Sequence, residues 1–328
     1  MVKANQVYTA KQIKLMQEKG LYRGSEDKDF RTDRQIKKEL ALKGELGRVY
    51  DEVPPLNKNF EYWSDRFRRR QEEYNETVTR KDHVTISFKD DVILNFIGDT
   101  HVGHPSTRYD RLEQEMHAIV GTPESYVILA GDLVDGFFFN PAQMEQMEQS
   151  PEQYAYIDSM MKFLADEKRL LIGMGGDHDG WPKKMGIDPY YKFSNDLNAH
   201  YMHGVGHITT NVGEQTYKLT GAHQLPGFSM YNNLHPQMRA SKEVQGADLY
   251  FSAHTHRKGH STQPMKEFGG EARTIHYISL GPYKATDEYA RKKGFAAQTE
   301  EEMFGCAVTL KADRRLIVYH NNILDANE

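Results

Sequence analysis

The sequence of 328 residues contains a single cysteine, Cys306, and no apolar segment follows Met1. One cysteine excludes an intrachain disulfide and favours a reducing, cytoplasmic setting. No run approaches the roughly 18 apolar residues that a membrane-spanning helix needs, so neither membrane insertion nor export is predicted. Hydrophobic residues make up 38% of the chain and charged residues 27%. A packed core is therefore expected rather than global disorder.

The chain also lacks an overall positive charge, since its formal net charge is −5. This value does not mark the whole protein as a nucleic-acid binder. Charge is uneven along the chain, however. Residues 1–82 carry 19 Lys and Arg against 15 Asp and Glu, a net charge of +4, and the remainder carries 23 against 32, a net charge of −9. An acidic body fits carboxylates gathered around cations, although ordinary surface charge would look similar.

Residues 1–82 form a predicted helical N-terminal extension to a catalytic domain at 83–328. Residues 32–40, which follow a predicted helix at 9–20, faintly resemble a helix-turn-helix. Four arginines lie among aromatic residues on a further predicted helix: Arg66, Arg68, Arg69 and Arg70. These side chains are candidates for contacts with nucleic-acid phosphates. The alternative is a solvated extension that packs on the catalytic body, because three nearby glutamates dilute the basic run.

Beyond residue 83 the hydrophobic pattern changes to strands that alternate with helices. Strands are predicted at 83–88, 92–97, 126–130 and 169–173, with helices at 107–119 and 151–167. This alternation implies parallel strands joined by crossover helices. The second half is richer in strands, with a hairpin turn predicted at Asn211–Glu214. The predicted fold is α/β, a four-layer αββα sandwich of two mixed sheets flanked by helices.

Five short segments place Asp or His at or just after the end of a predicted strand, or in a loop. They are Gly98–His101, Gly131–Asp135, Gly176–Asp179, Gly221–His223 and Ala253–His256. Because ligands of open α/β sheets bind beyond the carboxyl ends of the strands, these segments are expected to converge on one site. Imidazole and carboxylate donors together favour manganese, iron or zinc over calcium or magnesium alone.

In this order the segments resemble the signature of the calcineurin-like metallophosphoesterases: Asp-x-His, Gly-Asp-x-x-Asp, Gly-Asn-His-Asp/Glu, a His, then Gly-His-x-His. The resemblance implies two divalent cations. Manganese is the first choice, and iron, zinc or nickel are the alternatives. It implies that the first cation is held by Asp99, His101, Asp132 and His256. The second would share Asp132 and be completed by Asp177, His223 and His254. His178 would be the acid that stabilises the transition state or protonates the leaving oxygen.

Two positions depart from the family pattern. Ala253 replaces the usual glycine, which is a minor change, and Asp177 replaces the usual asparagine. A carboxylate can ligate a metal, but it cannot donate a hydrogen bond to substrate as an amide can. Asp177 also lowers the positive charge of the site, which favours monoanionic diesters over dianionic monoesters. Alternatively, Asp177 in place of asparagine would slow the enzyme.

Three further residues, one just past the first segment and two within the second and third segments, are candidates for supporting roles. His104 is a candidate substrate contact or a polar loop residue. Asp135 and Asp179 are expected to orient ligands or the loop rather than to bind metal.

The predicted activity is hydrolysis of a phosphodiester bond, in DNA or another nucleotide, as in the nuclease branch of the family. Two divalent cations would lower the pKa of a water molecule and neutralise charge during in-line attack. One alternative is a small-molecule phosphomonoesterase or cyclic-nucleotide phosphodiesterase. Another is a binding module of the same fold with weakened catalysis. No membrane partner is expected, and the sequence gives no prediction of oligomeric state.

Overall fold

The computed structural model describes residues 59–77, 83–136, 146–179, 197–266, 272–286, 288–294 and 296–327. The predicted helices at 9–20 and 32–40, with the helix-turn-helix-like segment, lie outside the described residues. The chain divides into two units, Met1–Thr79 and Arg80–Glu328. No helix among the described residues is both long and apolar enough to cross a bilayer.

The first unit contributes helix α1, Phe60–Thr77, to the described residues. Asn59 precedes the helix, and its Oδ1 accepts a hydrogen bond from the backbone N–H of Tyr62 at 3.1 Å, as an N-cap does. Asp65 forms ion pairs with Arg68 and Arg69 on the following turn. These contacts lower the pKa of Asp65. The helix predicted at 61–74 is confirmed and extends further at its C-terminal end.

The second unit contains twelve described strands. They are β1 His83–Phe88, β2 Val92–Ile97, β3 Ser125–Leu129, β4 Leu170–Met174, β5 His200–Met202, β6 Gly206–Val212, β7 Gln215–Ala222, β8 Leu249–Ser252, β9 Gly259–Lys266, β10 Ala272–Ser279, β11 Cys306–Leu310 and β12 Ile317–His320. Its described helices are α2 Tyr109–Gly121, α3 Ser150–Asp166, α4 His235–Glu243, α5 Glu288–Lys292 and α6 Ile323–Ala326.

The strands form two mixed sheets of six strands each. One sheet has the order β1-β6-β7-β8-β10-β9, and the other has the order β12-β11-β2-β3-β4-β5. In the second sheet β2, β3, β4 and β5 are parallel, whereas β11 is antiparallel to β2. In the first sheet β7, β8 and β10 are parallel. The carboxyl ends of β2 and β3 in one sheet, and of β7 and β8 in the other, therefore lead into the predicted site.

Three apolar clusters show that the two sheets lie face to face between helices. The central cluster joins residues of both sheets, and the rings of Phe96 and Phe251 meet with centroids 4.7 Å apart. A second cluster packs the outer face of the β2-β3-β4 sheet against α2 and α3. A third packs the outer face of the other sheet against α4. The predicted αββα sandwich is confirmed.

Strand periodicity explains this layering. In β3 the side chain of Ile128 belongs to the central cluster, while its neighbours Val127 and Leu129 belong to the cluster under the helices. Such alternation follows from the two-residue repeat of a strand. All three residues are fully buried, which is expected for a parallel strand covered on both faces.

Candidate metal centre

The loops that follow the strands bend sharply at the predicted ligands. Five of the predicted ligands have positive φ: Asp99 (49°), His101 (45°), Asp132 (49°), His254 (67°) and His256 (52°). Nine non-glycine residues in the described part of the chain have this conformation. It is unfavourable for residues with a Cβ and clusters at functional sites. Backbone strain is therefore concentrated where the side chains converge.

Two glycines let the loops approach each other. Gly131 has φ of 85°, and a Cβ there would lie 2.7 Å from the backbone nitrogen of Gly176. A Cβ on Gly176 would lie 2.1 Å from the nitrogen of Asp132 and 2.3 Å from its Oδ1. Any side chain at either position would therefore push the two loops apart.

The first cluster of donors comprises Asp99, His101 and His256, with ligand atoms within 4.8 Å of one another. The Nε2 atoms of His101 and His256 face each other at 3.0 Å. Oδ1 of Asp99 is buried, has no hydrogen-bond partner, and lies 3.6 Å from Nε2 of His256. Burial lowers the pKa of His101 well below its usual value, with the nearby Lys284 ammonium as the next cause. The ring is therefore neutral, the form that ligates a metal.

The second cluster comprises Asp132, His223 and His254, by the same distance criterion. Nε2 of His223 lies 3.1 Å from Oδ2 of Asp132 and 3.3 Å from Nδ1 of His254. Nδ1 of His223 faces the carbonyl oxygen of Ala130 at 2.8 Å, which directs Nε2 to the other donors. Burial alone would raise the pKa of Asp132 and lower that of His223, but the contact between the two reverses both shifts.

The two clusters are joined through the backbone. The N–H of His254 donates to Oδ2 of Asp99 at 2.8 Å. We call the six residues together the donor cage: Asp99, His101, Asp132, His223, His254 and His256.

His178 and Asp135 lie beside the donor cage, and with His101 they form a third group of donors whose ligand atoms lie within 4.8 Å of one another. The ring centroids of His178 and His101 are 4.8 Å apart. The N–H of His178 donates to Oδ1 of Asp132 at 2.8 Å, and its Nδ1 lies 2.6 Å from the carbonyl oxygen of Asp135. The carboxylate of Asp135 turns instead to His101, with Oδ1 3.2 Å from Nδ1. The sequence predicted Asp135 as an orienting residue, and its contacts suit that role.

Lys284 belongs to none of the five sequence segments, yet it reaches the site. It follows the end of β10 by five residues, it is 5% exposed, and its Nζ lies 3.2 Å from Oδ1 of Asp135. Gln146 adds a contact to the other oxygen of Asp135 at 3.3 Å. A lysine outside the ligand motifs gives no metal-binding signal, so only its position after a buried strand could have pointed to it.

Asp179 is buried and holds the loops together. Its carboxylate accepts hydrogen bonds from the backbone N–H groups of Asp132 at 2.8 Å, Leu133 at 3.1 Å and Gly176 at 3.0 Å. These bonds fix the turn that carries Asp132 against the turn that carries Gly176. The predicted role in loop orientation agrees with this geometry.

The structure does not bring Asp177 or His104 into the donor cage. The side chain of Asp177 is 59% exposed, and its Oδ2 lies 3.6 Å from Nδ1 of His254. His104 is buried, and its Nδ1 accepts a hydrogen bond from the N–H of Ser106 at 3.1 Å. Neither residue belongs to a ligand cluster found among the described residues. Asp177 thus lies at the rim, within a short side-chain movement of His254.

The four arginines proposed for nucleic-acid contact lie on α1. Arg68 and Arg69 are exposed but already share Asp65, as described above. Arg66 is half-buried. The side chain of Arg70 lies outside the described residues.

The donor cage fits divalent cations. An unpartnered buried carboxylate oxygen, and imidazole nitrogens that face each other, are costly arrangements unless a cation lies between them. Imidazole and carboxylate donors suit manganese, iron and zinc.

Comparison with known proteins agrees with this chemistry. The family model for calcineurin-like phosphoesterases matches residues 94–258, half of the chain. The chain belongs to the calcineurin-like phosphoesterase family. The fold of this family implies divalent metals, and the matched segment contains all six residues of the donor cage. No curated protein matches this family member.

Several solved structures resemble this calcineurin-like phosphoesterase at low identity. Vacuolar protein sorting 29 from Cryptosporidium parvum is 11% identical, with a TM-score of 0.37 over 70% of this chain and 97% of the other. A metallophosphoesterase from Sphaerobacter thermophilus is 12% identical, with a TM-score of 0.33 over 70% and 88%. The nuclease MPE of Pseudomonas putida is 13% identical, with a TM-score of 0.30 over 69% and 87%. These similarities identify neither a substrate nor a partner.

Proposed function

We propose that this protein is a two-metal-dependent phosphodiesterase that cleaves nucleic-acid or nucleotide diesters, with manganese as its preferred metal. The observation that carries the proposal is the donor cage, in which two clusters of three donors lie side by side. Asp99, His101 and His256 would hold one cation, and Asp132, His223 and His254 the other. Asp132, which the resemblance assigns to both cations, groups only with His223 and His254 in the structure. Two cations bound there would lower the pKa of a water molecule and neutralise charge on the phosphoryl oxygens.

We assign proton delivery to His178. Its Nδ1 faces the carbonyl oxygen of Asp135 at 2.6 Å, which places the hydrogen on Nδ1 and gives Nε2 the transferable proton of the imidazolium. The bond from its backbone N–H to Asp132 keeps the ring beside the cage. His178 would therefore protonate the leaving oxygen as the phosphoester bond breaks.

The preference for diesters rests on Asp177. At the rim of the cage its carboxylate adds a negative charge where the family carries a neutral amide. That charge repels a dianionic monoester more than a monoanionic diester, because Coulomb energy scales with the charge of the substrate.

Hydrolysis of bis-p-nitrophenyl phosphate and of p-nitrophenyl phosphate, each with Mn²⁺, tests this proposal. We expect the wild type to prefer the diester in kcat/KM. Asp177→Asn should reduce that preference about tenfold, a modest interaction for an exposed charge. Asp313→Asn, which removes an exposed carboxylate from the β11–β12 turn, is the matched control and should leave the preference unchanged. Activity on the monoester alone would refute the diester proposal and favour the small-molecule phosphomonoesterase.

One observation favours a second candidate, a binding module with weakened catalysis. Asp177 lies outside the ligand clusters, so the second cation would have three protein ligands from the cage instead of four. Total turnover of Asp177→Asn distinguishes the two candidates. A large gain would indicate a slowed native site, whereas a loss would show that the carboxylate belongs to the mechanism.

We further infer that α1 contacts nucleic acid and that the protein works in the cytoplasm, in keeping with its single, buried cysteine. Arg68 and Arg69 should contribute less than Arg66, because both already pair with Asp65. Binding of single-stranded DNA measured against salt concentration tests the contact. Arg66→Gln should reduce the slope by about 0.7 per lost phosphate contact. An unchanged slope would indicate a solvated extension.

A further inference from the structure

Three large apolar side chains are exposed on one short loop. Phe228 is 68% exposed, Met230 71% and Tyr231 96%. They are three of only ten large apolar residues that are exposed in the described part of the chain, and they lie within four positions. Single exposed apolar residues are normal, whereas a cluster marks a contact surface.

This loop is connected to the donor cage at two points. It follows His223 in the chain and is anchored at its two ends by the buried side chains of Leu225 and Leu234. Arg257, the residue after His256, donates from Nη1 to the carbonyl oxygen of Met230 at 3.3 Å. This bond ties the loop to the residue that follows a second histidine of the cage.

The loop is held in shape by its own hydrogen bonds. Oγ of Ser229 accepts from the backbone N–H groups of Tyr231 and Asn232, each at 3.2 Å. Oδ1 of Asn232 accepts from the N–H of Leu234 at 2.9 Å. Because polar atoms fix the backbone, the large apolar side chains are free to point into solvent. A surface ordered before binding loses little entropy when a ligand arrives.

Arginine is part of the same surface. The guanidinium of Arg257 lies 5.8 Å from the ring centroid of Phe228, within the range of a cation–π contact. No Asp or Glu occurs between His223 and Lys242, although residues 83–328 carry a net negative charge. The loop is thus an aromatic surface without acidic residues of its own.

We propose that Phe228, Met230, Tyr231 and Arg257 form a stacking surface for the bases of a single-stranded nucleic acid whose phosphodiester enters the donor cage. The inference rests on the proposed phosphodiesterase function and names the substrate class. Aromatic rings and arginine beside a backbone-binding site are the elements with which proteins bind single strands, since every base has a face that can stack. A protein partner would also bind aromatic residues. A protein partner, however, would not explain why these residues are connected to a cage that binds phosphate.

Fluorescence anisotropy with a labelled, phosphorothioate-linked oligothymidylate of ten nucleotides tests the stacking surface, because this probe resists hydrolysis. The full chain is used with Mn²⁺. Tyr231→Ala and Phe228→Ala should each weaken binding about tenfold, as expected for the loss of one stacked base. Tyr231→Phe keeps the ring and should bind within about twofold of the wild type. Phe163→Ala, which removes a partly exposed ring from α3, is the control and should bind as the wild type does.

Two results would overturn the inference: wild-type affinity in both alanine variants, or no binding of the oligonucleotide by the wild type. Either would leave the loop as a surface for a protein partner. Wild-type hydrolysis of bis-p-nitrophenyl phosphate is measured in parallel. If the diester is cleaved while the alanine variants bind normally, the stacking surface is wrong and the phosphodiesterase proposal stands.

Discussion

Replacing Asp135 by Asn separates two roles that the structure gives to one carboxylate. Oδ1 of Asp135 lies 3.2 Å from Nδ1 of His101 and 3.2 Å from Nζ of Lys284. The substitution keeps the shape of the side chain but removes its charge. His101 then loses the carboxylate beside its Nδ1, which we expect to orient the ring once a metal is bound, and the lysine loses its buried counter-ion.

The two losses have different magnitudes and different readouts. Removing an acceptor that orients a metal-ligating histidine typically lowers metal affinity about 10- to 100-fold. The lost negative charge acts in the same direction, because it also attracts the cation. A buried ammonium without a counter-ion costs about 3–5 kcal/mol. Since the Asn oxygen can still accept a hydrogen bond from Lys284, we expect about 3 kcal/mol of destabilisation.

A double-variant cycle assigns each effect to its cause. Calorimetric titration with Mn²⁺ gives the affinity, and urea denaturation gives the free energy of unfolding. Adding Lys284→Met to Asp135→Asn removes the unpaired charge, so most of the lost stability should return while the metal affinity stays low. Asp91→Asn is the matched control, because Asp91 pairs with Lys311 at 2.7 Å but both side chains are partly exposed. We expect it to cost about 1 kcal/mol at most and to leave metal binding unchanged.

Two outcomes would contradict these roles of Asp135. Wild-type Mn²⁺ affinity in Asp135→Asn would show that Asp135 does not orient His101. A double variant as unstable as Asp135→Asn would show that the unpaired lysine is not the cause of the destabilisation.

Three further predictions follow from the same structure. His178→Ala should keep both metals but lose roughly 10²-fold in kcat; an equal loss of metal in calorimetry would contradict its role as acid. Gly176→Ala should abolish high-affinity Mn²⁺ binding, because its Cβ would lie 2.1 Å from an atom of the cage, whereas Gly204→Ala, with open space around it, should bind normally. Burial lowers the pKa of His260 to about 4, below about 6.5 in the unfolded chain, so stability is lost as pH falls between these values. His260→Phe retains a ring against Tyr319. Between pH 7 and 4.5 its free energy of unfolding, measured by urea denaturation, should fall by about 1–2 kcal/mol less than that of the wild type. An equal fall in both proteins would show that His260 does not cause the acid sensitivity.

Most of the fold could be predicted from local patterns. β1 and β2 begin and end where alternation and an apolar run predicted them, and the helices assigned to 107–119 and 151–167 match α2 and α3 within two residues. The sequence predicts no strand at β9, because the exposed polar residues of this segment and Pro264 lack strand periodicity. The segment is a strand because its backbone pairs with that of β10, a contact that its own sequence does not indicate.

The donor cage could be predicted as a set of residues but not as an arrangement. Strand ends and residue types indicated which side chains converge, because both are local properties. The contact of Asp135 with His101 and Lys284 depends on three distant segments, and no local pattern encodes it. The exposure of Asp177 and of Tyr231 is likewise a property of the folded surface, which a motif does not specify.

We propose that two neighbouring clusters of side chains hold one cation each. Anomalous diffraction at the manganese edge from Mn²⁺-soaked crystals would locate these cations. We expect two peaks about 4 Å apart, one against Asp99, His101 and His256 and the other against Asp132, His223 and His254. A cage without an anomalous peak at saturating Mn²⁺, or a single peak outside these residues, would contradict this proposal.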